Sequence, residues 1–287
     1  MRVTHEEVSA CSEEAVNLIL SAPLNKADWY SVFAMPTPNF PNQMSELNAE
    51  KHIAFQRKTA RGYSMATMVQ TENYFDEPIQ LFQRGVERVA EKDPQNFVNL
   101  REWFQYYSYD VVGLATFSKM FGFLESGSDV GGSISRGGWL KTYLSVMAHF
   151  PKIHHFIMSL FTPLLVWFGI QPTSYLQEVT ESALRERDNN DEAGRDMYSL
   201  WEQQKVSTPL NQLELFTTAN ANVVAGGEGV ANVGSAFVYN MLKNPTHALR
   251  LRQELDDATR RGLLVLPASY QMTLQLPFFQ ACVSRYE

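Results

Sequence analysis

From residue 48 onward the apolar residues of this chain recur at three- and four-residue intervals, the spacing that lines one face of an α-helix. Residues 48–68, containing KHIAFQRKTARGYSM, read as a basic helix, 72–90 as an amphipathic one, and 99–117, with LREWFQYYSYDVVGLATF, as an aromatic-rich one. Further helices are predicted at about 139–169 and 173–187. The glycine and serine stretch at 126–138 and the charged run RERDNNDEAGRD read as loops between them. The first residues differ: RVTHEEVSA alternates like a strand, and Ser12 followed by Glu13 and Glu14 reads as a helix cap with acids in the first turn.

The longest periodic stretch runs from about 210 to 243 without a proline. Thr208-Pro209 is placed to cap it and Asn244-Pro245 to stop it. At 1.5 Å per residue such a helix is roughly 50 Å long, so it must run through the middle of the molecule. Asn220, Asn222, Glu228 and Asn232 in its centre exclude a membrane span. Its midpoint, NVVAGGEGVANVGSAF, places three glycines within four positions, although each glycine in a helix costs about 1 kcal/mol relative to alanine. Two explanations are open: close helix packing through small residues, or a groove in which a flat ligand meets bare backbone and a carboxylate.

Composition changes this picture little. With 45% hydrophobic residues and 18 Phe, 12 Tyr and 5 Trp, the chain is of folding type. No internal repeat or flexible linker divides it, so a single domain over 1–287 is expected. The net charge of -7 is spread along the chain with no basic stripe, which argues against nucleic acid. Cys11 and Cys282 form no CxxC pair, and His149, His154 and His155 have no metal-ligand spacing, so packing or surface roles are expected for them. The apolar stretch FIMSLFTPLLVWFGI, 156–170, is too short to span a bilayer but could lie in its interface. The amino terminus has neither the basic start nor the apolar core of a signal peptide.

AGGEGV, preceded by NANVV and followed by FVYNMLKNPTHALRLRQEL, resembles the central helix of the cytochrome P-450 family of haem-thiolate monooxygenases, where the pattern is A-G-x-[DE]-T-[TS]. DWYSVFAMPTPNFPNQMSELNAEKHIAF, WFQYYSYDVVGLATF with FGFLESGSDVGG, and LQLPFFQACV extend the resemblance in family order, to the fungal branch of pisatin demethylase and benzoate para-hydroxylase type enzymes. The resemblance implies a mainly α, incomplete P-450 fold with a remnant of the small N-terminal β-sheet and a haem against the central helix at Ala225, Gly226 and Gly229. It gives Glu228 the acidic position in proton delivery, His52 and Arg57 the haem propionates, and Phe33, Phe40 and Val224 the substrate pocket. It also implies an apolar small-molecule substrate, an NADPH-dependent reductase, and the cytoplasmic face of the endoplasmic reticulum membrane.

The resemblance has gaps. Gly229 and Val230 stand where the family has its two hydroxyl residues, and Gln56 where an arginine is usual. In the register of LPFFQACV, Arg285 occupies the glutamate position of the family's E-x-x-R pair, and no cysteine loop is found, so no axial thiolate. The expectation is therefore a chain of this family that lacks membrane anchor and thiolate, is inactive by itself, and is cytoplasmic or peripheral. A noncatalytic helical remnant that binds an apolar ligand or a partner, and an unstable product of a truncated gene, are the alternatives.

Overall fold

The computed structural model describes residues 2, 7–34, 42–92, 97–167, 175–187, 196–204 and 209–284, and within these the chain is built of helices. Helix α1 (Glu13–Ser21) starts at Ser12, whose hydroxyl accepts from the Ala15 amide as its sequence predicts. A 3₁₀ turn at Asp28–Phe33 follows, then α2 (Ala49–Thr59), capped by Asn48. The single helix expected over 48–68 is broken: a 3₁₀ turn, Ala60–Tyr63, separates α2 from the short α3 (Met65–Gln70). The break lets Gly62 meet Trp201, since a Cβ on Gly62 would lie 2.4 Å from the indole nitrogen, and that nitrogen donates to the Thr59 carbonyl at 3.1 Å.

After a third 3₁₀ turn, Glu72–Phe75, come α4 (Asp76–Lys92), α5 (Leu100–Phe117) and the one-turn α6 (Phe123–Ser126). Asp110 in α5 fixes that return. Its carboxylate accepts from the amides of Phe121, Gly122 and Leu124 at 2.8 Å each and of Phe123 at 3.2 Å, covering the exposed donors at the start of α6. Burial nevertheless pushes the Asp110 carboxyl above its ordinary range, against the pull of those four N–H groups.

The expected glycine and serine loop at 126–138 is shorter in the structure, because α7 (Ser133–Met147) already contains Gly137 and Gly138. Its N-terminal turn is organised by Asp129, which accepts from the amides of Ile134 and Ser135. Pro151 begins α8 (Pro151–Trp167), splitting the helix expected at 139–169. Then follow α9 (Tyr175–Arg187), α10 (Met197–Glu202) and the central α11 (Gln212–Lys243). The cap of α11 is Asn211, not Thr208: Asn211 and Glu214 satisfy each other's backbone amides in a reciprocal capping box. Asn244 closes α11 as expected, and Pro245 opens α12 (Pro245–Arg260), followed by α13 (Tyr270–Thr273) and α14 (Pro277–Ser284). Among the described residues β pairing is a single antiparallel bridge, Arg2 to Val8, so the expected sheet remnant is reduced to that contact.

Helices α5 and α11 pack antiparallel: Thr116, Val112, Tyr109 and Phe104 meet Asn222, Gly226, Gly227 and Gly234 in turn. A Cβ on Gly226 would lie 2.5 Å from Val112 Cγ2, and one on Gly227 2.2 Å from Tyr109 Cζ. Two of the three clustered glycines therefore serve helix packing. A Cβ on Gly229, by contrast, would meet nothing within 4 Å. Tyr109 continues the stack onto Phe123, ring centroids 5.0 Å apart, inside a core shared with Trp103, Phe117, Trp201 and Val223.

Candidate functional site

Helix α11 forms one wall of a cavity of about 820 Å³ with Thr218, Asn220, Ala221, Asn222, Val224 and Ala225. A second wall is α7, through Leu140, Lys141 and Leu144, and a third is Gln56, Ala60 and Tyr63. Phe33 and residues 42–44 border it near α7, where Asn42 holds the chain by donating to the Phe33 carbonyl at 3.0 Å. Tyr109, Ser133, Gly137, Ser145, Leu176 and Gln177 complete the lining. The size suits a multi-ring organic molecule.

The cavity is mostly apolar with a few polar groups. Asn222 donates to Thr116 Oγ1 at 2.7 Å and to Met197 Sδ at 3.7 Å and accepts from the Tyr63 hydroxyl at 3.3 Å, so both ends of its amide are engaged by internal partners. Burial pushes the Tyr63 phenol up to about 12. Asn220 Oδ1 is buried and has no hydrogen-bond partner, a state that costs about 1–3 kcal/mol.

Glu228 lies one turn beyond Val224 and Ala225 on α11. Lys141 of α7 forms an ion pair with its Oε1, and Gln105 of α5 donates to the same oxygen at 2.9 Å. Three helices thus converge on one carboxylate.

The structure brings Phe33, Val224 and Ala225 to one cavity, whereas Glu228 is not among its lining residues and reaches it only through its ion pair with Lys141. Phe40 lies outside the described residues. Gly226 is directed at Val112 of α5, whereas Gly229 opens to unfilled space beside exposed Ala225, Val230, Asn232 and Val233. His52 and Arg57 do not line the cavity. His52 is half-buried near Lys26 and Glu46, and burial, then the Lys26 charge, lowers its pKa. Arg57 is exposed. Lys141, Tyr109, Asn220 and Tyr63 escaped the sequence reading; the only signal for any of them was the run of asparagines inside an otherwise apolar helix.

Cys11 is exposed on the chain before α1, and Cys282 is buried beside Met241, Leu251 and Phe278. Neither lines the cavity.

The site is thus a 32-residue capped helix with an acid near its midpoint, packed on an aromatic partner helix and bordering an apolar cavity. The chain belongs to the cytochrome P-450 family, whose profile matches residues 15–284. It is similar to pisatin demethylase of Fusarium vanettenii, 28% identical over 281 residues, covering 94% of this chain and 52% of that protein. It is also similar to the cytochrome P-450 monooxygenase gsfF of Penicillium aethiopicum, 26% identical over 298 residues, covering 99% of this chain and 58% of the relative. A third, the cytochrome P-450 monooxygenase mpaDE of Penicillium roqueforti, is 28% identical over 272 residues, 90% of this chain and 31% of that one. The chain spans about half the length of the first two relatives.

The family implies haem, and the open side of α11 fits it. Past Val224 the helix is covered by α5 on one side, and on the other it offers small and apolar side chains and the unfilled space at Gly229 to a flat group.

Proposed function

We propose that this chain provides the substrate-binding and proton-delivery side of a monooxygenase that inserts one atom of dioxygen into an apolar small molecule. The observation that carries this reading is the apolar cavity ending at Val224 and Ala225, one helical turn from the Glu228 carboxylate. Haem, when bound against Ala225 and Gly229, supplies dioxygen activation: one atom enters the substrate and the other leaves as water, with two electrons and two protons consumed.

The residues of the chain have three tasks in this proposal. Phe33, Leu140, Leu144 and Val224 hold the apolar body of the substrate and exclude water; Phe40 is assigned to the same lining. The Glu228 carboxylate is the proposed relay for protons at the open face of α11, and Lys141, half-exposed, connects it to solvent as hydrogen-bond donor. His52 and Arg57, on α2, are proposed as cations for the haem propionates. Gly229 and Val230 carry no hydroxyl, so oxygen binding must use water for that hydrogen bond. Neither Cys11 nor Cys282 is placed to supply a thiolate at the open face of α11, so by this reading the described chain has no oxygenase activity by itself.

The chain is proposed to act as one domain, with electrons from an NADPH-dependent reductase. No described helix is long and apolar enough to cross a membrane. Exposed Ile153, Phe156, Leu160 and Phe161 on α8 support peripheral contact with the endoplasmic reticulum membrane from its cytoplasmic face.

Titration of the purified chain with haem, followed by its absorption near the Soret band, tests the placement. Saturation at one equivalent is expected, weakened about tenfold or more by Gly229→Leu, which fills the open space beside the helix. Equal binding by wild type and variant, or no saturable binding, would refute it.

A further inference from the structure

The part of the cavity wall made by Asn42, Gln43 and Met44 belongs to no helix. It is a tight turn that shapes itself. Asn42 Oδ1 accepts from the amides of Met44 and Ser45 at 2.9 and 3.1 Å, and Ser45 Oγ accepts from the Asn42 amide at 2.9 Å. Both residues are buried, and the Asn42 carbonyl is taken by the amides of Ser45 and Glu46. The carbonyls of Gln43 and Met44 receive no backbone amide among the described residues, so their donors must come from elsewhere.

Lys26 serves both. Its ammonium donates to the Gln43 carbonyl at 2.8 Å and to the Met44 carbonyl at 2.9 Å, and lies 5.6 Å from the centre of the Tyr30 ring. Glu46, whose charge also acts on Lys26, turns its carboxylate to the Asn48 amide at 2.9 Å, and His52 of α2 adds a hydrogen bond to the backbone of Gln43. On either side of the ammonium the two segments are joined again: the Lys26 amide donates to the Leu47 carbonyl at 3.0 Å, and Asn25 Oδ1 accepts from the Ala49 amide at 2.9 Å. Asn42 and Ser45 therefore fix the shape of the turn, whereas the Lys26 ammonium fixes where its middle sits.

We infer that Lys26 is a positioning residue for the cavity, holding Gln43 and Met44 in the wall against which an apolar ligand packs. The inference rests on the reading that the cavity takes a small apolar molecule. Lys26 is not itself among the lining residues. An ammonium suits the task because its three donors can serve two successive carbonyls at once. Without it the turn keeps its shape and loses its seat. A ligand must then reseat the wall, and its apparent affinity falls by the fraction of time the wall is in place.

The test is equilibrium dialysis of biphenyl against the purified chain, beside urea midpoints for each variant. Lys26→Met keeps the stem and removes the donors; it should weaken biphenyl about tenfold with little change in midpoint, and Lys26→Arg, which restores donors, should return most of the affinity. In a background of Gln43→Ala with Met44→Ala, which strips the wall, Lys26→Met should change the affinity less than about twofold, because the lysine acts only through those residues. The wild type gives a reading that needs no variant to fold: biphenyl should slow amide hydrogen exchange at residues 43–47. Unchanged affinity in Lys26→Met, a loss that arginine does not restore or that persists in full in the alanine background, or no slowing of exchange at 43–47 by bound biphenyl would overturn this inference while leaving the cavity reading standing. Failure of the wild type to bind biphenyl would overturn the cavity reading, and this inference with it.

Discussion

Gly227→Ala and Gly229→Ala are the same chemical change two residues apart on one helix, and the structure gives them opposite signs. Alanine is the better helix former by about 1 kcal/mol, so propensity alone stabilises both variants. At Gly229 nothing lies within 4 Å of the new methyl, and the full gain of about 1 kcal/mol is expected. At Gly227 the methyl would lie 2.2 Å from Tyr109 Cζ and 2.3 Å from Cε1, more than 1 Å inside the 3.4 Å at which ordinary contact begins. The ring has little room to retreat, being 2% exposed and stacked on Phe123, which is fully buried. Relief must come from separating α5 and α11, and overpacking of this kind costs about 1–3 kcal/mol or more before the propensity gain is subtracted. Urea unfolding of the two variants beside the wild type is the assay, read as midpoint at unchanged slope. Gly229→Ala should raise the midpoint and Gly227→Ala lower it. In a Tyr109→Leu background the penalty at 227 should shrink, giving a measurable coupling. A rise in midpoint for Gly227→Ala would refute the assignment of that glycine to packing.

Asp110→Ala leaves four amides at the start of α6 without an acceptor and should destabilise by about 3–5 kcal/mol; Asp110→Asn, which retains one acceptor oxygen, should cost less, and the ordering is checked by thermal melts. His154, buried and hydrogen-bonded through Nδ1 to Tyr143 at 3.2 Å, has its pKa lowered from 6.5, first by burial and then by His155. The folded state therefore takes up the proton less readily than the unfolded one. Stability is full above pH 6.5 and is lost as pH falls from there toward the folded-state pKa, a slope that urea midpoints at pH 7.5 and 5.5 should show and His154→Gln should reduce. Lys141→Met should change stability by less than about 1 kcal/mol, because the lysine is 49% and Glu228 24% exposed; a loss of several kcal/mol would mean that the pair holds the fold together.

The middle of the fold was legible because its signals are local. A proline-free run, an aromatic-rich partner helix and the stop at Asn244-Pro245 all act within a few residues. The errors came where two local signals compete. Thr208-Pro209 looked like a helix start, but the reciprocal bonds of Asn211 and Glu214 define it. Gly137 and Gly138 looked like loop and are helical, whereas Gly62 and Ser64 break what looked continuous. At the site, Glu228 and Val224 stand out because they sit in a motif, and Val224 does line the cavity. Lys141 and Gln105 reach Glu228 across 87 and 123 residues of sequence, and Tyr109 reaches Gly227 only because two helices pack; periodicity in one segment carries no information about which distant segment it will meet.

The Asp110 carboxylate joins residues only 11 to 14 positions away, whereas the side-chain hydrogen bonds between α11 and the elements up to α7 span 87 to 159 residues. Loops of about ten residues close in roughly 10–100 ns, and the entropic cost of closure grows with length, so the return from α5 to α6 can form long before α11 exists to cover it. During synthesis the flank of α5 carrying Phe104 and Tyr109 waits uncovered until residue 234 has left the ribosome. For that interval the chain presents its most aromatic surface to the cell, and there a chaperone would have the most to hold.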